Sequence, residues 1–209
     1  MVTSALGTGT RSWTLALQLA FVAGDLGHAV RIVRDAREQL DPLELLDEVV
    51  APAMHHVGDL WEREMISVAD EHLATSTAHR LLAEIAPSLK RPVAAAQGTV
   101  AVLAAPESER HVTALLMAES VLRGAGYRVK NLGPGVPLPS LQRMLQDDPP
   151  HLVGLTASIA TPAELQEAID GVRAASPDAR VLVGGRHAAA VTSAEPVADL
   201  RGLATALEL

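Results

Sequence analysis

The 209-residue sequence contains no cysteine, which excludes disulfides, zinc–thiolate centres, iron–sulfur clusters and thiol catalysis. Aromatic residues are almost as scarce: Trp13, Phe21, Trp61 and Tyr127 are the whole set. A surface that stacks the bases of single-stranded nucleic acid needs more than these. Basic residues are outnumbered, 17 Lys and Arg against 25 Asp and Glu, giving a net charge of −8. The basic face of a direct DNA reader is therefore missing. No apolar run reaches the length of a membrane span. The N-terminal stretch has Arg11 as its single basic residue and reads as a short tail leading into a helix, not as a signal peptide. These absences lead us to expect a cytoplasmic protein with neither nucleic acid nor membrane as a direct partner. What is abundant is aliphatic: 48 % of residues are hydrophobic and only 20 % charged, enough for one large domain or two small ones.

The two halves of the chain read differently. Up to about residue 88 the pattern is helical. An apolar stretch runs from Trp13 to Ala23, a second helix from His28 to Leu40, and Asp41-Pro42 caps and opens a third. In that third helix Leu46, Val49, Val50, Ala53, Met54, Val57, Leu60 and Trp61 fall on one face. Ser67 and Asp70 form a capping box for a fourth helix running to about Ala86. The segment Pro87–Gly98 reads as a linker. Short β-rich runs then alternate with helical stretches: Thr99–Ala105, Tyr127–Leu132, Leu152–Ser158 and Arg180–Gly185, with helices near His111–Gly124, Pro139–Gln146 and Pro162–Ala175. A final strand and helix fit into His187–Leu209. The expected fold class is α/β with an N-terminal all-α part: a four-helix bundle over residues 12–88, then a flavodoxin-like (Rossmann-type) parallel-sheet domain over residues 98–209.

In such a sheet, ligands bind beyond the carboxyl ends of the strands. The loop after the first strand carries Glu109, Arg110 and His111, and the acid and histidine there can orient one another. Taken alone, the same residues read as a capped helix start with a solvated histidine. Thr156 and Ser158 end the third strand, as a ligand contact or as ordinary helix-capping hydroxyls. Gly184 and Gly185 end the fourth, where they allow close backbone approach or a tight turn.

Together, Glu109-x-His111-x-x-Ala114, Thr156-x-Ser158 and Gly184-Gly185 resemble the cobalamin-binding signature D/E-x-H-x-x-G, S-x-L, G-G, over about residues 98–190. The resemblance implies that His111 ligates cobalt from the lower face, that Glu109 holds the far imidazole nitrogen, and that the Thr156 hydroxyl supports the acid. Gly184 and Gly185 would let the displaced nucleotide tail lie against the sheet. Three positions depart from the signature: Ala114 replaces glycine and adds a methyl near the tail, Thr156 replaces serine and keeps its hydroxyl, and Ser158 replaces leucine.

In the helical half, Trp61 is followed by nine residues and then Glu71-His72. This W-x9-E-H pattern, with its flanking sequence over roughly residues 12–86, resembles the cap bundle of CarH-type cobalamin photoreceptors. The resemblance implies a light-sensing module whose chromophore lies between helical cap and Rossmann-type domain, with Trp61 shielding the upper face of the corrin and Glu71 and His72 lining the pocket. Val68, His72, Thr75 and His79 are spaced to share a helix face. The residue after the tryptophan, a histidine in many CarH proteins, is Glu62 here, so a second cobalt histidine after illumination would have to be His55, His56, His72 or His79. The photocobilins resemble the same unit and hold a bilin beside the corrinoid. Arg63, His79 and Arg80 suit bilin propionates, so the implied cofactor is cobalamin (adenosylcobalamin or another corrinoid), alone or with biliverdin. Family members assemble head to tail, which implies a homo-oligomer, dimer or higher. If the chain is complete, about ten tail residues cannot form a DNA module and the output passes through a protein partner.

The main rival is a corrinoid methyl carrier of a methyltransferase system, which pairs the same two parts. A flavin or nucleotide module is disfavoured because Pro106–His111 lacks the glycines of a phosphate loop. A receiver domain would need an acidic pair ending the first strand. A Ser–His–Asp hydrolase would carry a nucleophile elbow, and that pattern is missing.

Overall fold

The computed structural model describes residues 3–88 and 98–208, with side chains described over residues 9–87 and 98–208. The chain divides into two compact units, Met1–Lys90 and Arg91–Leu209. From residue 89 to 97 the expected linker lies outside the described residues.

In the first unit, α1 spans Thr3–Val22, α2 Leu26–Ala36, α3 Pro42–Leu45, α4 Ala51–Glu62 and α5 Val68–Ile85. The first helix starts at Thr3, so most of the expected tail is helical and Gly7 and Gly9 lie inside it. It packs against α2, α4 and α5, burying Leu17 and Phe21 completely. Helix starts are fixed locally. The Asp41 carboxylate accepts from Leu43 N and Glu44 N while Glu44 reaches back to Asp41 N. Ser67 and Asp70 form the same reciprocal pair, satisfying donors that helix geometry leaves unpaired.

The single helix expected over Leu43–Trp61 is instead interrupted by a π-helical turn at Leu46–Val50. Ala51 N donates to Leu46 O, five residues back. Pro52 explains the widening: it has no N–H to offer Glu48 O, and its ring crowds that carbonyl. The buried hydroxyl of Thr14, on α1, donates to Glu48 O at 3.2 Å and shares its proton with Thr10 O at 2.9 Å.

In the second unit, β1 (Val100–Ala104), β2 (Arg128–Asn131), β3 (Leu152–Ala157), β4 (Arg180–Gly185) and β5 (Glu195–Val197) form a parallel sheet in the order β2-β1-β3-β4-β5. The connecting helices are α6 (Thr113–Gly124), α7 (Leu138–Asp147) and α8 (Pro162–Ala175), and α9 (Leu200–Ala206) ends the unit. Helices α7 and α8 cover one face and α6 and α9 the other. With both faces covered, β1 is buried along its whole length, which is why it reads as an unbroken apolar run. The last strand and helix are β5 and α9. Because β1 lies between β2 and β3, the chain leaves β1 in opposite directions, and the loops after β1 and β3 part at this switch point.

Candidate functional site

Glu109 sits in the β1–α6 loop at the switch point, and its side chain is fully buried. One carboxylate oxygen, Oε1, accepts from Arg110 N and His111 N, both at 2.9 Å, and from His111 Nδ1 at 2.7 Å. The other, Oε2, accepts from Ser158 N at 2.5 Å and Ile159 N at 2.9 Å in the loop after β3. A single carboxylate thus ties together the two loops that flank the switch point. Burial pushes its pKa up, but the bonds from His111, Ile159 and Ser158 outweigh burial and bring it down to about 2. Glu109 is therefore ionised at neutral pH and acts only as an acceptor.

An ionised acceptor facing Nδ1 orients the imidazole: Nδ1 carries a proton and donates it to the carboxylate, which leaves Nε2 as the nitrogen a ligand can meet. Nε2 has no hydrogen-bond partner among the described residues, and the His111 side chain is 53 % exposed. Helix α6 begins at Thr113, so His111 precedes it, and the cap residue Val112 makes no side-chain cap bond. Of the alternative, a capped helix start with a solvated histidine, the half-exposed histidine is present and a side-chain cap bond from Val112 is not. The Arg110 side chain is exposed.

The support expected from the Thr156 hydroxyl is absent. Glu109 takes its bonds from the β3 loop through main-chain amides, because the loop turns Ser158 N and Ile159 N onto the carboxylate. Thr156 is buried at the end of β3, opposite Gly184, and Ala157 stands opposite Gly185. The two glycines serve different needs. A Cβ on Gly185 would lie 2.2 Å from Ala157 O, and its φ of +97° disfavours any side chain, so the fold itself requires glycine there. A Cβ on Gly184 would meet nothing closer than Val197 O at 3.8 Å and Thr156 Oγ1 at 4.0 Å, which are ordinary contacts, so the fold does not require glycine there. Ile159 was not legible as a site residue. It is 53 % exposed beside the acid it helps to hold, and its only sequence signal is an apolar residue just past a strand end.

In the helical unit, Trp61 and Glu62 end α4, and Trp61 is 46 % exposed, so it is not packed in the core. Glu71, Thr75 and His79 form a row on α5 at steps of four. Thr75 Oγ1 donates to Glu71 Oε1 at 2.7 Å. Burial pushes the His79 pKa below the usual histidine value, against the pull of the Glu71 carboxylate. Val68, His72, Thr75 and His79 share a face of α5, as their spacing implies, but differ in exposure along it. Val68 and His72 are exposed, with His72 Nε2 3.7 Å from Glu71 Oε2, while Thr75 and His79 are half-buried. The difference runs along the helix: Val68 and His72 belong to its first turns, Thr75 and His79 to later ones.

The donor set suits a metal-bearing cofactor. The Nδ1–H to carboxylate bond is the arrangement that orients metal-ligating histidines. Among the described residues, no group of three His, Asp or Glu side chains stands close enough to cage a metal ion, so the imidazole would act as a lone protein ligand. Gly184, where the fold does not require glycine, lies at the same sheet edge. Among the described residues no helix is long and apolar enough to cross a membrane.

Two comparisons with known proteins agree on the cofactor class. Residues 16–85 match one B12 binding domain family, and residues 99–206 match a second. The chain is 32 % identical over 179 residues to the HTH-type transcriptional repressor CarH of Myxococcus xanthus, covering 85 % of this chain and 58 % of the repressor. It is 23 % identical over 162 residues to dimethylamine corrinoid protein 1 of Methanosarcina acetivorans, covering 75 % of each. The chain spans little more than half the length of the repressors it matches. In fold it is similar to the monomethylamine corrinoid protein of Methanosarcina barkeri, with a TM-score of 0.78 at 14 % identity, over 95 % of this chain and 98 % of that one. A helical unit and a β2-β1-β3-β4-β5 sheet, each matched by its own B12 binding domain, place the chain in the B12-binding domain family.

Proposed function

We propose that this chain is a cobalamin-binding light-sensing module, with His111 Nε2 as the lower ligand of cobalt and Glu109 fixing its tautomer. The observation that carries the reading is the buried, ionised Glu109 bonded to His111 Nδ1, with Nε2 left without a partner. A lone imidazole suits a metal that arrives with most of its ligands already in place, as cobalt does in a corrin. Cobalamin supplies, when bound, a cobalt–carbon bond that visible light breaks. The protein's part is to hold and to report. Gly184 and Gly185 take the nucleotide tail along the sheet edge. Trp61 and the Glu71–Thr75–His79 row are further cofactor contacts, and a change in what fills their surroundings biases the bundle between two arrangements. The similarity to a transcriptional repressor over 85 % of the chain supports a signalling role, which this reading places in the cytoplasm and routes through self-association or a protein partner.

A corrinoid methyl carrier is the second reading, favoured by the similarity to a dimethylamine corrinoid protein over 75 % of both chains. Absorption spectra with adenosylcobalamin, in the dark and after green light, separate the two. The light-sensor reading expects a light-driven change that His111→Ala alters or abolishes. Tight cobalamin binding with no photochemistry, together with methyl exchange with a partner methyltransferase, would overturn it in favour of the carrier. Adding biliverdin tests a second chromophore: a new photoactive red band would place Arg63, His79 and Arg80 at its propionates.

A further inference from the structure

A groove of about 280 Å³ opens within the sheet unit, at the carboxyl ends of β1 and β3 and between the first turns of α7 and α8. It shares no residue with the site built on Glu109, His111, Thr156 and Gly184. Leu138, Leu141 and Leu155 give it an aliphatic wall, and Glu107, Glu164 and Glu167 stand around it. Among the described residues no Lys, Arg or His lines it, and no aromatic ring does.

Each of these facts narrows the occupant. Carboxylates with no cation among them are complementary to a cation. A metal ion does not fit, because among the described residues no three His, Asp or Glu side chains stand close enough to hold one. A quaternary ammonium or a stacked guanidinium takes an aromatic face, which this groove lacks. What remains is an ammonium on an aliphatic stem, whose methylenes lie on the leucines while its charge meets a carboxylate. Three carboxylates spread around one groove suit a chain that carries more than one ammonium.

The Glu164 end is already prepared. Its Oε2 accepts from Thr161 N and Thr161 Oγ1, both at 2.7 Å. These bonds hold the carboxyl below the usual range, and Ser108 lies near enough to add to the effect. Ser108 Oγ itself is buried and meets no partner with hydrogen-bond geometry among the described residues. A buried hydroxyl left unsatisfied beside an ionised carboxylate is completed by an entering N–H donor. We propose that this groove binds an aliphatic polyamine, with Glu107, Glu164 and Glu167 taking its ammonium groups and Leu138, Leu141 and Leu155 its methylenes.

The test is a titration of the full chain with spermidine at low salt and pH 7, read by calorimetry and by the methyl NMR signals of the three leucines. The expected result is one-to-one binding with a Kd below about 1 mM, and shifts at all three leucines. Magnesium at equal ionic strength should leave those signals in place, since it has no stem to lay on them. Glu107 and Glu167 are exposed, so Glu107→Gln with Glu167→Gln should keep the wild-type melting temperature. That double variant should weaken spermidine binding by about fivefold or more. Unmoved leucine signals, equal shifts with magnesium, or a folded double variant that binds as wild type does would each overturn the proposal. Tighter binding of Nα-acetyl-lysinamide than of spermidine would also overturn it, by giving the groove to a lysine side chain of a protein partner. The proposal stands apart from the cobalamin reading: a chain that binds spermidine and no cobalamin keeps the first and loses the second.

Discussion

Replacing Glu109 with glutamine changes few atoms and tests how the loops at the switch point are held. The carboxylate accepts from three donors at Oε1 and two at Oε2. Glutamine offers one carbonyl oxygen and one amide nitrogen, and the nitrogen only donates. In the better orientation the oxygen faces Arg110 and His111, and the nitrogen then opposes Ser158 N and Ile159 N. Two N–H groups lose their acceptor, at roughly 1–3 kcal/mol each, so Glu109→Gln should cost about 2–6 kcal/mol. Domain stabilities of about 5–15 kcal/mol make that loss easy to measure. Urea unfolding at pH 7, followed by circular dichroism, is the assay. Acid supplies a second arm. The Glu109 pKa falls from 4.5 to about 2 on folding, so the unfolded chain takes the proton first. The stability that the carboxylate contributes is complete above 4.5 and is lost as the pH falls toward 2. The gap between wild type and Glu109→Gln should therefore narrow across that window. A variant within about 0.5 kcal/mol of wild type at pH 7, the range of an ordinary surface substitution, would refute the reasoning.

Gly185→Ala should destabilise the sheet unit by several kcal/mol or prevent its folding, because of the 2.2 Å contact and the positive φ, whereas Gly184→Ala should leave the melting temperature within a few degrees and weaken cobalamin binding. Thermal melts and cobalamin titrations of the two variants check this contrast. Thr14→Val removes a buried hydroxyl donor to Glu48 O and Thr10 O, and should cost about 1–2 kcal/mol in urea unfolding of the helical unit.

What the sequence disclosed was mostly what is local. The starts of α3 and α5 were legible because Asp41-Pro42 and Ser67 with Asp70 act within one turn. The strands were legible because burial on both faces leaves unbroken apolar runs. One side-chain contact was legible: the pairing of Glu109 with His111 is as the resemblance implies. The main-chain part of the site was not. Nothing in a string of side chains shows that Ser158 N and Ile159 N turn onto a carboxylate about fifty residues earlier, so the hydroxyl of Thr156 was given their place. Residues 3–12 read as tail because glycine and threonine are weak helix formers, yet they continue a helix whose later turns are anchored in the bundle.

The turn at Leu46–Val50 has a consequence for how this segment is compared with its relatives. The buried positions Leu45, Val49, Ala53 and Val57 recur at steps of four without slipping. An α-helix advances about 100° per residue, so three such steps would carry the buried stripe about 120° around the rod. The wide turn absorbs one surplus residue and cancels most of that drift. The segment is thus one residue longer than its path requires. A relative that lacks Pro52 could delete a residue between 46 and 50 and keep Gly58 and Trp61 in phase. An alignment gap at that place would record a change of helix pitch, with the surface downstream unchanged.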